Sequence, residues 1–267
     1  MKKKKTKARK QKEQSMTLAD HLRELRNRLV ICIVCLVMSS LAGLHFAPWL
    51  VELLTDIGKN YGYTYVYIAP QELLMQYFSI ALLAGVCITF PMILYHIWAF
   101  VQPGLQKHEN ALFLSAIFFG LLCFGAGIIF AYKIMLPFML RFLIGISAGS
   151  GITASISVQN YITFLLTIFM IFGIVFELPV ISVLLTQMRL LKVEWMKKGR
   201  RVIIIVIFVV AALITPPDIV SQIMVAIPMI GLYEISIIIC TILMKFRKKE
   251  ESEGDEADLE PLKQRDK

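Results

Sequence analysis

The stretch ITFLLTIFMIFGIVFELPVISVLLT, residues 162–186, decides the fold, because a single ionisable group, Glu177, interrupts an otherwise uncharged run. As an α-helix it rises about 37 Å, more than the roughly 30 Å of a bilayer's hydrocarbon core. In the β-branched run at 202–214 an open strand would leave backbone groups unpaired in lipid, so a short helix is expected there. A second stretch, IVSQIMVAIPMIGLYEISIIICTILM at 219–244, repeats the pattern around Glu234. A charge at membrane depth costs several kcal/mol unless it faces protein or water, so Glu177 and Glu234 are both candidate functional residues.

Working outward, 57% of the 267 residues are hydrophobic and the mean hydropathy is +0.69. A soluble single domain is excluded. Apolar runs and their polar breaks predict an all-α integral membrane protein of six transmembrane helices near 29–48, 73–100, 111–140, 162–187, 202–214 and 219–244. The fifth run, VIIIVIFVVAALI, rises only about 20 Å before Thr215-Pro216-Pro217 ends it. It is expected to stop short of the far face and to place the turn with Asp218 below the bilayer surface.

With both termini inside, only Lys59, Lys133 and Arg141 of the 28 Lys and Arg fall outside, so the positive-inside rule predicts cytoplasmic ends. This asymmetry accounts for the net charge of +9 without nucleic acid. The start MKKKKTKARKQKEQ adjoins a membrane helix and lacks interleaved aromatics, which suits anionic lipid headgroups better than DNA or RNA. No apolar core with a small-residue cleavage site follows it, so it is expected to be retained. The sequence divides into a basic cytoplasmic tail at 1–15, a membrane domain at 16–246 and a charged tail at 247–267 expected to be disordered.

The five cysteines lie scattered through apolar segments, with no metal-ligand spacing and no disulfide framework. Cys32 and Cys35 form CxxC within LVICIVCLVMSS, where packing is the simpler reading. The four histidines sit on different segments, without HExxH, GxSxG or a phosphate-binding loop, so no catalytic activity and no cofactor are expected.

TLADHLRELRNRL, 17–29, opens with a capping-box pattern and carries leucines on one face, predicting a short helix along the membrane that leads into the first span. Glu24 and Arg28 there could be an ordinary i,i+4 pair. In AFVQPGLQKHENA, 99–111, Pro103-Gly104 makes a turn and Glu109 opens the next helix. Glu24 and Glu109 both lie where the chain enters the membrane and could converge on one cationic ligand, for which a planar guanidinium is the best match. In the first outer loop Tyr61, Tyr63, Tyr65 and Tyr67, spaced by two, read either as a strand or as an interfacial belt, and Glu72 reads as a helix cap. Pro179 should bend the fourth span beside Glu177.

Six motifs in order resemble one family, the TatC component of the twin-arginine protein translocase. They are HLRELRNRL (21–29), APQE (69–72), FVQPGL followed by KHE (100–109), FGAGIIFAY (124–132), FGIVFELP (172–179), and TPPDIVSQ with IPMIGLYE (215–234). Ala69, where serine is frequent, and Gln102, where small or apolar residues are common, depart from the pattern without touching its charged set. The resemblance implies a cup-shaped bundle with short fifth and sixth helices in the cytoplasmic membrane. It implies a receptor for paired-arginine signal peptides of folded proteins, assembling in several copies with single-span TatA- and TatB-type partners and driven by the proton motive force. By the same resemblance Glu24 and Glu109 receive the arginines, and Arg26, Arg28, Pro103 and Leu105 shape that surface. Glu177 would meet a partner helix, and Thr215, Pro216, Asp218, Gln222 and Glu234 would belong to partner docking. Two other readings are a proton-coupled solute transporter using Glu177 and Glu234, and a scaffold in which the acids serve helix contacts.

Overall fold

The computed structural model describes residues 18–101, 110–147, 155–188, 190–215 and 218–263. In order these form α1 (Leu18–Lys59), β1 (Thr64–Val66), α2 (Glu72–Val101), α3 (Asn110–Phe130), a π-helical turn (Ala131–Met135) and α4 (Leu136–Ser147). Then follow β2 (Ser155–Ser157), α5 (Val158–Val175), α6 (Leu178–Gln187), α7 (Val193–Ile214) and α8 (Ile219–Lys263). Five helical stretches are long and apolar enough to cross a membrane: Asp20–Lys59, Glu72–Phe100, Leu114–Ile146, Val158–Gln187 and Ile219–Phe246. Two compact units result, one of α1 to Glu52 with Leu74–Ile117, the other of Leu53–Leu73 with the chain from Phe118 onward.

In the first unit α1 and α2 pack through small residues, which let backbones approach where apolar surface gains nothing by leaving lipid. A Cβ on Gly85 would stand 2.2 Å from Ser40 Oγ, and one on Gly43 would stand 3.0 Å from the Ala81 carbonyl oxygen. Ser39 Oγ lies 2.7 Å from Thr89 Oγ1 and donates to the Gly85 carbonyl at 3.1 Å. The separate surface helix expected before the first span is not observed. Nothing between Arg28 and Val30 breaks the helix, and it continues through Pro48 to Lys59, forgoing the hydrogen bond that a residue-48 N–H would make.

The second unit is built around Met135, Leu136, Met139, Tyr161, Ile162, Leu165 and Phe172, all almost fully buried. The Leu136 N–H bonds to the Ala131 carbonyl, an i→i−5 step one residue before Pro137, which has no N–H to continue an α-helical ladder. α3 meets α5 at Gly127, where a Cβ would lie 2.5 Å from the Phe172 carbonyl oxygen. Phe130 packs its ring against those of Phe172 and Phe176.

The tyrosine-rich loop is a strand over Thr64–Val66, paired in parallel with Ser155–Ser157 in the register Thr64↔Ser155, Tyr65↔Ile156 and Val66↔Ser157. Tyr63 donates to the Leu140 carbonyl at 3.3 Å, and Tyr161 to that of Leu54 at 2.9 Å. Tyr65 rests edge-on against Tyr161, and burial followed by the Tyr161 hydroxyl pushes its phenol far up, so it stays neutral. Glu72, read as a cap, is buried and accepts a hydrogen bond from Ser157 Oγ at 3.1 Å.

α7 is longer than its apolar run predicts, beginning at Val193. Val193 and Met196 turn inward with Tyr233, Ile237 and Cys240, so packing against α8 carries the helix through charged turns. α8 is not short: its 45 residues continue through 247–263, where disorder is expected. Glu, Lys, Ala and Leu, good helix formers, dominate that segment and can propagate a helix already nucleated by the apolar stretch.

Candidate functional site

The first candidate cluster stands at the start of α1, in the first unit. Arg28 donates from Nε to Glu24 Oε1 at 3.0 Å, and its Nη2 donates to the same oxygen. Both side chains are about three-quarters buried, so the ordinary i,i+4 pair exists. Glu24 Oε2, however, is buried with no hydrogen-bond partner among the described residues. Arg26 Nη2 lies 3.5 Å from Asn27 Oδ1. One turn before Glu24, His21 stacks on Phe100 with ring centroids 4.1 Å apart and planes 16° from parallel. That contact joins the start of α1 to the last turn of α2. Pro103, Leu105 and Glu109 follow α2 in sequence and lie outside the described residues.

The second candidate is Glu177, in the other unit. The bend expected from Pro179 is a break between α5 and α6: Glu177 is the residue before α6, with Pro179 in that helix's first turn. Pro179 fits there because first-turn N–H groups have no intrahelical acceptor. Glu177 is 5% exposed, and its Oε1 has no hydrogen-bond partner among the described residues. Cys123, on α3, lies within electrostatic range. The arrangement is an acceptor fixed at a helix break.

The third group surrounds the turn between α7 and α8, and here the local roles are structural. Thr215 closes α7, its Oγ1 donating to the Ala211 carbonyl at 3.0 Å. Asp218 caps α8 by accepting the Ser221 N–H at 2.7 Å. Gln222 Nε2 donates to the Phe208 carbonyl at 2.9 Å, tying α8 to α7. Pro216 lies outside the described residues.

Glu234 does not stand as a lone acid at mid-depth. Arg200 Nη2 is 2.7 Å from its Oε2, and the neighbouring Tyr233 hydroxyl donates to the Met196 carbonyl at 2.8 Å. α8 runs back along α7 and brings Glu234 level with α7's charged first turns. Sequence reasoning missed Arg200 by counting it as loop charge; the signal was Val193, Met196, Arg200 and Ile203, one helical stripe at i, i+3, i+7 and i+10. Ser157, the hydroxyl facing Glu72, left no comparable trace. Among the described residues no group of three or more His, Cys, Asp or Glu could hold a metal ion.

These helices and motifs can be set beside known proteins. The family model for the Sec-independent protein translocase protein (TatC) matches residues 20–228. A Sec-independent protein translocase protein TatC from Listeria innocua is 36% identical over 89% of this chain and 96% of its own length. The one from Aquifex aeolicus is 37% identical over 88% and 98%. TatCy of Bacillus subtilis is 34% identical over 93% and 97%. A crystal structure of the twin-arginine translocase receptor TatC superposes with a TM-score of 0.78 at 35% identity, covering 83% of this chain and 98% of that one. The chain therefore belongs to the TatC family, and is a membrane-embedded, non-enzymatic component of the Sec-independent protein translocase.

Proposed function

We propose that this protein is the receptor of its translocase, taking the paired arginines of signal peptides on the carboxylates of Glu24 and Glu109. The observation that carries the reading is Glu24 itself: one oxygen is engaged by Arg28 and the other is buried without a partner among the described residues. A guanidinium arriving from a second chain can bond the open oxygen and share the charge. The His21–Phe100 stack supports a common site, since it holds the start of α1 at the end of α2, from which the chain proceeds to Glu109. The solved relative of TM-score 0.78 is itself a twin-arginine translocase receptor.

In this reading both termini and the Glu24 surface face the cytoplasm, and α7, apolar from Val202 onward, is a sixth, short crossing beside the five long ones. The basic start lies on anionic lipid, and copies assemble with TatA- and TatB-type single-span subunits. Glu177, whose Oε1 has no hydrogen-bond partner among the described residues, offers an acceptor to a partner helix; the α7–α8 turn, with Thr215, Pro216, Asp218 and Gln222, and Glu234 further along α8 contribute to docking. The proton motive force drives transport.

The test is photocrosslinking in membrane vesicles between this protein and signal peptides bearing Arg-Arg or Lys-Lys, with wild type, Glu24→Ala and Glu109→Ala at equal expression. The expected result is a strong wild-type crosslink to Arg-Arg that is lost with either substitution and with Lys-Lys. Crosslinks indifferent to all three changes would refute the receptor role.

A further inference from the structure

The start of α7 carries Lys197, Lys198, Arg200 and Arg201, and the last three divide by the face they occupy. Arg200 faces α8 and is held by Glu234. Lys198 and Arg201 are exposed and form no ion pair among the described residues. Helical spacing places Lys198 and Arg201 directly above Val202, Ile205 and Val209 on one stripe. Those three are 63%, 63% and 56% exposed, so they stand largely uncovered among the described residues. Trp195, one turn before Lys198, is 58% exposed, with the Lys192 ammonium 5.6 Å from its ring centroid. Exposed Trp beside Lys, then cations, then bare β-branched side chains within a few turns is the profile of a helix passing from headgroups into hydrocarbon. Glu194 is the one acid in these turns, exposed and without an ion pair among the described residues.

We propose that this face of α7 binds an anionic phospholipid, with the phosphate held by Lys198 and Arg201 and an acyl chain lying along Val202, Ile205 and Val209. The observations favour a lipid because the occupant must be anionic at one end and apolar from the next helical turn onward. A phosphate diester with two acyl chains has that division built in. A guanidinium and an ammonium one turn apart can both reach one phosphate, the guanidinium through paired N–H donors. The site is separate from the Glu24 surface, so its failure would leave the receptor reading intact.

The experiment uses the full chain in nanodiscs of equal phosphatidylglycerol and phosphatidylcholine, released gently and weighed by native mass spectrometry to count retained lipids. Wild type is expected to retain phosphatidylglycerol preferentially. Lys198→Gln and Arg201→Gln should each lower that affinity about fivefold, and the double variant about thirtyfold, with phosphatidylcholine unaffected. Lys198→Arg should retain wild-type binding, and Lys133→Gln, an equal loss of charge elsewhere, should change nothing. Far-UV circular dichroism shows whether each variant keeps its helices, and Lys198→Arg against Lys198→Gln decides the matter if the double variant does not fold. Equal retention of both lipids by wild type, or undiminished phosphatidylglycerol in folded Lys198→Gln and Arg201→Gln, would overturn the proposal and leave this face to a partner helix.

Discussion

Ser157 does two things with one hydroxyl. It accepts the Gln159 N–H at 3.1 Å as the N-cap of α5, and it donates to the buried Glu72 carboxylate at 3.1 Å. Ser157→Ala removes both. Loss of an N-cap costs about 0.5–2 kcal/mol, and leaving a buried charged acceptor without a donor costs about 1–3 kcal/mol. The expected destabilisation is about 2–4 kcal/mol. At ~2–4 °C per kcal/mol for a chain of this size, the apparent Tm in mild detergent should fall by about 4–16 °C. Ser157→Thr keeps both bonds and should stay near wild type. Ser157→Asp keeps the cap but sets a second carboxylate against Glu72, and should be the least stable of the three. The assay is thermal unfolding by circular dichroism at one fixed scan rate, since membrane proteins often unfold irreversibly. A double-mutant cycle with Glu72→Ala isolates the shared bond. A fall of less than about 2 °C for Ser157→Ala, or an equal fall with and without Glu72, would refute the two-bond account.

Gly127→Ala should cost about 1–3 kcal/mol, because its Cβ would stand 2.5 Å from the Phe172 backbone carbonyl oxygen, whereas Gly125→Ala, with nothing within 4 Å, should be neutral or slightly stabilising; the Tm difference between the two checks this. Tyr233→Phe should cost about 1 kcal/mol by removing its buried bond to the Met196 carbonyl. Arg200→Ala should cost no more than about 1 kcal/mol, since both partners of its pair are a third to a half exposed. Signal-peptide affinity should weaken as salt rises, and Glu24→Gln should lower it by about tenfold or more while flattening that dependence, as read by fluorescence anisotropy in nanodiscs.

What was legible in the sequence is what periodicity and composition encode. Apolar run lengths locate the long crossings, and Pro179 announces the break at Glu177. The pairing of Thr64 with Ser155 was not legible, because it joins residues 91 apart through a three-residue strand whose alternation is too short to register. The tyrosines spaced by two carried only half of the signal; the partner SIS carried none. Helix ends failed for another reason. α1 was expected to stop near Pro48 and α7 to start at Val202, the limits of their apolar runs, yet packing and propagation carry both helices past them. Of the proposed arginine site, Glu24 and its pairing with Arg28 were legible from i,i+4 spacing, whereas the open second oxygen depends on what surrounds the carboxylate.

Glu177 and Glu234 look equivalent in sequence, and the difference between them bears on the competing idea of a proton-coupled transporter. That idea needs two carriers free to exchange protons at mid-depth. Glu234 is engaged by Arg200 at 2.7 Å and sits level with Met196 and Arg200, at the charged end of α7. It acts between helices, as a clasp at the boundary where α8 leaves the apolar region. Glu177 has no such cation among the described residues and occupies a break between two apolar helices. Among the described residues one acid has its partner and the other has an unmet oxygen. An acid with an acceptor unmet among the described residues is suited to meeting a second chain, which is the role proposed for Glu177.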